Sequence, residues 1–375
     1  MKKKVVILTS GHWPKDERIF HKIGRTLEKS GFSVAIISSV QEANFTEDNI
    51  HIVGFKGNNL NKKEKIFNLK ALLTSEAPDV IICSEPLTVV AAWRYRKSQQ
   101  KKIRIISDIT EWYPENVALK QNGLKRLITY TVLFLFNIYA TNLADHLIIG
   151  EKGKLKRYSI IAPFKKKAVI GYYPVLEFFT FSPPTFDGKK LTLCYAGVIS
   201  FERGILNILK AAVKTAEENP GVSVTLKVIG RFQYEAEEEI FKKMVQGEDR
   251  LRIEMVPWGK YEEISQKLKD ADICLDLRNY SFVYRNSLPI KIFEYMASGK
   301  PVIYSDIKPI REEMDVSKFG FLVNPTDIDE ISLKISEYIK NPSLLREHSQ
   351  NARQMAETRF NWARLEGELI RLVSE

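Results

Sequence analysis

The run Asn286 to Asp306, NSLPIKIFEYMASGKPVIYSD, places Glu294 among apolar residues and behind Ser287, Pro289 and Lys291. A carboxylate about two turns into a helix can accept hydrogen bonds from a pair of sugar hydroxyls. A lysine and the unpaired N–H groups of a helix start can hold an anion such as a phosphate. The same spacing also fits a plain ion pair of Glu294 with Lys291 or Lys300, and the segment alone leaves both readings open. Near the start, TSGHWPKDERIF follows a first apolar run, so Gly11 allows close backbone approach and His12, Asp16 and Arg18 are expected on the rim of a cleft. His12 and His21 do not have the spacing of a metal pair, and no metal site is expected.

These residues need elements to position them. Ser287 reads as an N-cap, Pro289 as a first-turn residue and Gly299 as a left-handed terminator, which predicts a helix over 288–298. PVIYSD then reads as a buried parallel strand ending in polar residues. The first half shows strands near KVVILTS, SVAIISS, HIVGF, DVIICS, RIISDI and HLIIG, and the second near LTLCYAG, SVTLKVIG, RIEMVPW, ICLDL, PVIYSD and GFLV. Helical segments separate them, so the pattern predicts two α/β, Rossmann-like domains with parallel sheets covered on both faces. No G-x-G-x-x-G occurs, which removes the usual dehydrogenase fingerprint. The proline- and aromatic-rich stretch around VIGYYPVLEFFTFSPPTFDGKK sets the expected boundaries: a first domain over 1–170, a linker over 171–187 and a second domain over 188–357. The last helix, within 358–375, is expected to return to the first domain.

A chain of 375 residues with 44% hydrophobic content suffices for two cores. Its three cysteines, Cys83, Cys194 and Cys274, lie in apolar runs and read as buried thiols of a cytoplasmic protein. The N-terminal apolar run breaks at Gly11 and Pro14, as a first strand does and a signal peptide does not. Residues 1–180 hold 29 Lys and Arg against 16 Asp and Glu, whereas residues 181–375 hold 28 against 30. The basic surface belongs to the first half, which suits an anionic membrane surface. Nucleic acid is not expected as a partner, because no basic helix interleaved with aromatics and no RNA-binding signature is present. The run Leu127 to Ala140 is too short to span a bilayer. It reads first as a core helix. The other reading is a helix partly exposed to lipid, with Lys120, Lys125 and Arg126 at the headgroups.

Over essentially its full length the chain resembles glycosyltransferase family 4, enzymes of GT-B architecture with two Rossmann-like domains facing each other across a cleft. The resemblance rests on DERIFHKIGRTLEKSGFSV, SDITEWYPEN, GYYP, YAGVISFERGI, LPIKIFEYMASGKPVIYSD and FNWARLEGELI. It implies a retaining, metal-independent transfer of a hexose or N-acetylhexosamine from a UDP- or GDP-linked donor, with no further cofactor. The acceptor would be a glycan or polyprenyl-diphosphate-linked glycan at the anionic inner membrane, in capsule, exopolysaccharide or O-antigen synthesis. Glu294 falls on the second glutamate of the family's E-x7-E pair and would grip ribose. Asn286 falls on the first and departs from it. Lys291 and Arg203 would face the diphosphate, Val198 standing where a second arginine is usual. Gly197 and Trp258 would complete the donor site, with the base near Trp258. Thr110 replaces a common histidine, leaving Asp108 and Glu111 as polar candidates for catalysis, each equally readable as a cap or structural acceptor. Trp112 would join His12, Asp16 and Arg18 at the acceptor. Two alternatives stay open: a nucleotide-sugar 2-epimerase of the same fold, and a non-catalytic nucleotide-sugar-binding subunit.

Overall fold

Short β-branched runs separated by helices fold into two open sheets. The computed structural model describes residues 2–375, and the chain divides into two units, Met1–Tyr172 with Trp362–Glu375, and Tyr173–Asn361.

The first unit begins with β1 (Lys4–Thr9), a π-helical stretch (Glu17–Gly24) running into α1 (Arg25–Lys29), β2 (Ser33–Ser38), β3 (Ala43–Glu47) and β4 (Ile50–Gly54). It continues through α2 (Lys62–Glu76), β5 (Val80–Cys83), α3 (Pro86–Lys97), β6 (Arg104–Ile109) and α4 (Glu115–Ala118). The last elements before the crossing are α5 (Gly123–Leu143), β7 (His146–Ile149), α6 (Lys152–Ile161) and β8 (Lys166–Val169). The strand order is β3-β4-β2-β1-β5-β6-β7-β8. Val5, Val6, Ile7 and Leu8 are fully buried, as a strand covered on both faces requires. Because parallel crossovers are right-handed, the reversal of strand order at β1 sends α1 to one face and α2, α3, α5 and α6 to the other.

The second unit carries β9 (Lys190–Ile199), α7 (Ile205–Glu218), β10 (Ser223–Phe232), α8 (Glu235–Val245) and β11 (Leu251–Val256). There follow α9 (Ile264–Leu268), β12 (Ile273–Asp276), α10 (Phe282–Asn286), α11 (Ile290–Ala297) and β13 (Val302–Ser305). It closes with α12 (Lys308–Glu313), β14 (Gly320–Val323), α13 (Ile328–Lys340) and α14 (Pro342–Thr358). Its sheet runs β11-β10-β9-β12-β13-β14, with every neighbouring pair parallel. The chain then returns to the first unit as α15 (Ala363–Ser374), where Trp362 Nε1 donates to Thr26 Oγ1 at 2.7 Å and Thr26 Oγ1 donates to Glu366 at 2.9 Å.

Several expectations need correction. The first sheet is not wholly parallel, since β3 pairs antiparallel with β4, and neither β3 nor β8 was expected. At least half of each edge strand is polar, ANFTE in β3 and KKAV in β8, so periodicity gives no apolar run to read. The stretch expected as a linker is largely docked on the second unit. Phe179 and Phe186 are buried, and Asp272 Oδ1 accepts from the backbone of Thr185 and Phe186 at 2.7 and 3.0 Å. The helix expected from Leu288 begins only at Ile290, with the extended Pro289 at its N-cap position, and Ser287 instead follows the last residue of α10 as its C-cap. Finally, α5 is no core helix. Its buried side chains are Asn137, Ala140 and Thr141, whereas Leu124, Leu127, Ile128, Val132, Leu135 and Tyr139 are 49–72% exposed.

Candidate functional site

In each sheet the strand order reverses at a central strand, β1 in one and β9 in the other, and ligands of such sheets gather past the strands' carboxyl ends there. The candidate residues cluster at these two places, described separately.

In the second unit Gly197 lies near the end of β9, two residues before Ile199; its φ is 140°, and a Cβ there would come within 2.3 Å of Lys291 Nζ. The glycine thus leaves room for the lysine, which projects from the first turn of α11. The Lys291 ammonium is buried, lies 4.0 Å over the Tyr195 ring and 3.7 Å from Asp276 Oδ2, and finds no hydrogen-bond acceptor among the described residues. Burial pulls its pKa down to about 7, against the opposing pull of Asp276. Asp276, at the end of β12, is fully buried and forked by Arg278 at 2.9–3.1 Å, and the Tyr304 hydroxyl donates to it at 2.6 Å. Burial alone would raise its carboxyl, but Arg278 and Lys291 outweigh that and hold it below the usual carboxylate range.

Arg203 lies in the turn between β9 and α7, its guanidinium 5.9 Å from the Tyr284 ring and its Nε buried without a hydrogen-bond partner among the described residues. The turn is fixed by Gly204 at φ 82°, where a Cβ would strike the Leu277 carbonyl at 1.7 Å. Glu294 is half-buried on α11. Lys300 is not available to it in the way a plain ion pair requires, since its Nζ donates to the carbonyls of Lys269 and Ala271 at 2.8 and 2.7 Å. Asn286 closes α10, its amide donating to the Phe282 carbonyl at 2.7 Å. Trp258 lies past β11 and is 44% exposed.

In the first unit a cavity of about 260 Å³ opens past β1, β5 and β6, lined among others by Gly11, His12, Glu85, Asp108, Glu111 and Tyr158. Glu85 organises the β1 turn: it accepts from Thr9 Oγ1 and Ser10 N at 2.8 Å and from Gly11 N at 3.0 Å. His12 stands 3.6 Å from Asp16 and 3.8 Å from Glu85. The nearby Asp16 carboxylate, with burial opposing, raises the His12 pKa to about 9 and so favours the charged imidazole. Asp16 also caps the following helix by accepting from Arg18 N at 2.9 Å. Glu111 is exposed and accepts from the Asn116 amide.

Three of the expected site residues in this unit are placed otherwise. Arg18 is not on a rim. It is 5% exposed, forks the buried Asp108 carboxylate at 2.7 and 2.8 Å, and donates to the carbonyls of Ile170 and Gly171. Asp108, expected as a catalytic candidate, therefore has both oxygens engaged, and the pair ties β1's following helix to β6 and to the end of the unit. Trp112 is 8% exposed, beneath the Arg157 guanidinium at 4.6 Å from its ring, rather than open to an acceptor. Sequence reasoning missed Glu85, Asp276, Arg278 and Tyr304. The available signal was position, since Glu85 and Arg278 each lie two residues past a strand.

Residues 178–355 match the family model described as Glycosyl transferases group 1. A protein of Methanocaldococcus jannaschii described as an uncharacterized glycosyltransferase, MJ1069, is 24% identical over 174 residues, covering 46% of this chain and 42% of that protein. The matched stretch thus spans about two-fifths of that relative's length. Among solved structures, sucrose-phosphate synthase from Thermosynechococcus elongatus superposes with a TM-score of 0.76 at 15% identity, over 100% of this chain and 98% of that one. Anabaena HepE, solved in complex with UDP-glucose, gives 0.74 at 13% identity over 99% of both chains. At such identities the likeness is one of fold, and the fold is GT-B.

Proposed function

We propose that this chain, whose residues 178–355 match the family model of group 1 glycosyltransferases, moves a hexose or N-acetylhexosamine with retention from a UDP- or GDP-linked donor held by the second unit. The observation that carries the reading is the Lys291 ammonium, buried and without a hydrogen-bond acceptor, near an Arg203 whose Nε is likewise unpartnered. A buried cation without an acceptor is costly, and a phosphate supplies the missing lone pairs and the opposite charge. Departure of a nucleoside diphosphate builds negative charge on its β-phosphate, and preorganised cations stabilise that charge without reorganisation. Lys291 and Arg203 fill that role in place of a metal ion. Glu294 accepts from the ribose hydroxyls, Asn286 bonds a hydroxyl of the sugar, and the base lies by Trp258.

Retention follows from attack on the face the diphosphate leaves, the acceptor proton passing to the departing phosphate oxygen, so the protein supplies orientation and charge stabilisation more than a general base. The first unit holds the acceptor in the cavity past β1, where His12, Glu85 and Glu111 offer both donors and acceptors to glycan hydroxyls. A polyprenyl-diphosphate-linked glycan of a capsule, exopolysaccharide or O-antigen fits this reading, supported by the basic first half of the chain. The UDP-glucose bound by HepE supports a UDP-linked sugar.

The test is a thermal-shift screen against UDP, GDP, ADP, dTDP and CMP with EDTA present. A hundredfold excess over the dissociation constant stabilises the folded state by ~2.7 kcal/mol. One nucleoside diphosphate is expected to raise the melting temperature, and Arg203→Ala and Glu294→Ala to abolish the shift. Normal binding by both variants would remove the site assignment.

A further inference from the structure

Helix α5 turns its more apolar side to solvent. Leu124, Leu127, Ile128, Val132, Leu135 and Tyr139 fall within one face at 100° per residue and are 49–72% exposed. The opposite face carries Asn137 and Thr141, and the Asn137 amide donates to the buried Tyr158 hydroxyl at 3.3 Å. A helix whose polar residues face the protein and whose leucines face outward has a second apolar phase to meet. The stripe runs ~22 Å along the axis at 1.5 Å per residue.

The surroundings identify that phase. No acidic residue lies in α3 or α5, and α2 has only Glu64 and the buried Glu76 against Lys62, Lys63, Lys65 and Lys70. Lys120, Lys125 and Arg126 flank the start of the stripe, all exposed. On the same face of the sheet, α2 and α3 frame a groove of about 770 Å³ lined by Lys63, Phe67, Lys70, Trp93, Arg94 and Lys97. There the Lys97 ammonium lies 4.1 Å over the Trp93 ring, and Phe67 is 73% exposed. Apolar side chains bordered by lysines, arginines and an amphipathic tryptophan match the acyl boundary and headgroups of an anionic bilayer. A second copy of the chain would bring the cationic flanks together. A nucleic acid would leave the leucines uncovered. No helix among the described residues is long and apolar enough to cross a membrane, and α5 is held along its other side by the protein, so the contact is in the plane of the surface.

We propose that the outer faces of α5, α2 and α3 form one docking surface for an anionic lipid bilayer. The proposal rests on the transferase reading for its purpose, presenting the first unit to a lipid-linked acceptor, but its physical claim is separate. The test is co-sedimentation of the full chain with phosphatidylcholine vesicles and with vesicles containing phosphatidylglycerol, at low and high salt. Binding is expected only to the anionic vesicles, weakening with salt. It should fall at least tenfold in Leu127→Asn/Val132→Asn and again in Lys125→Glu/Arg126→Glu. Both variants alter exposed positions and should keep the wild-type melting temperature and nucleotide response. Three results would overturn docking: no affinity for anionic vesicles, equal affinity of the α5 variants, or a wild-type dimer that Leu127→Asn/Val132→Asn makes monomeric without any vesicle binding. Vesicle binding by a chain that responds to no nucleotide would leave docking standing and remove the transferase reading alone.

Discussion

The Lys291 ammonium stands 3.7 Å from Asp276 Oδ2, yet Asp276 spends its hydrogen bonds on Arg278 and Tyr304. The lysine is thus near a counter-charge and has no acceptor, an arrangement that costs stability in the absence of ligand and favours an incoming anion.

Replacing Lys291 by methionine separates these two effects. Removing the buried charge while keeping most of the volume should leave the melting temperature unchanged or raise it. Loss of a cation at the leaving diphosphate should lower kcat by ~10²–10³-fold. Steady-state kinetics beside a thermal melt check both, and a large fall in melting temperature would make Lys291 a structural residue.

The depressed pKa of Lys291, about 7 in the folded protein, gives a signed pH dependence. An ordinary lysine titrates near 10.5, so between about 7 and 10.5 the unfolded chain binds the proton that the folded chain lacks. The Lys291 contribution to stability therefore rises with pH through that window and is least favourable below pH 7. Urea unfolding at pH 7 and 9 should show a larger gain for wild type than for Lys291→Met. Nucleotide diphosphate binding, which needs the charged amine, should take up a proton above pH 7 and weaken as pH rises.

Gly197 makes room for that lysine. Gly197→Ala would place a methyl group within 2.3 Å of Lys291 Nζ at a φ of 140°, where L side chains are strained. Expected are a loss of about 1–3 kcal/mol and a weaker thermal response to the nucleotide. Full nucleotide affinity in this variant would show that the position of the ammonium does not matter.

The Arg18–Asp108 pair predicts a stability effect where sequence alone suggested chemistry. Asp108→Asn leaves a buried guanidinium without its counter-charge, a change that typically costs 3–5 kcal/mol. Arg18→Met/Asp108→Leu should recover part of it. Chemical denaturation of the three variants decides the matter: an Asp108→Asn protein of wild-type stability but without activity would return Asp108 to the catalytic candidates.

The alternation of strands and helices was fixed by local composition. Runs such as KVVILTS and LTLCYAG have no stable place except a sheet covered on both faces, so twelve of the fourteen strands among the described residues could be read directly. The two that escaped, β3 and β8, are edge strands held by pairing and not by apolar pattern. Lys291 could be singled out from its sequence neighbourhood, but its state could not. Burial without an acceptor depends on Gly197, Tyr195 and Asp276, which come from two other strands. Glu85 was invisible for the same reason, since the backbone it grips lies 74 and 75 residues earlier in the chain. Arg18 and Asp108 show the converse: polar residues beside strand ends look functional until folding brings them together across 90 residues and satisfies each with the other. For α5, the sequence determined that a long apolar helix would form. Only the tertiary structure decided which side met the protein: the Asn137 amide donates to Tyr158 on the inner side and accepts from the Thr141 hydroxyl there, leaving the leucines outside.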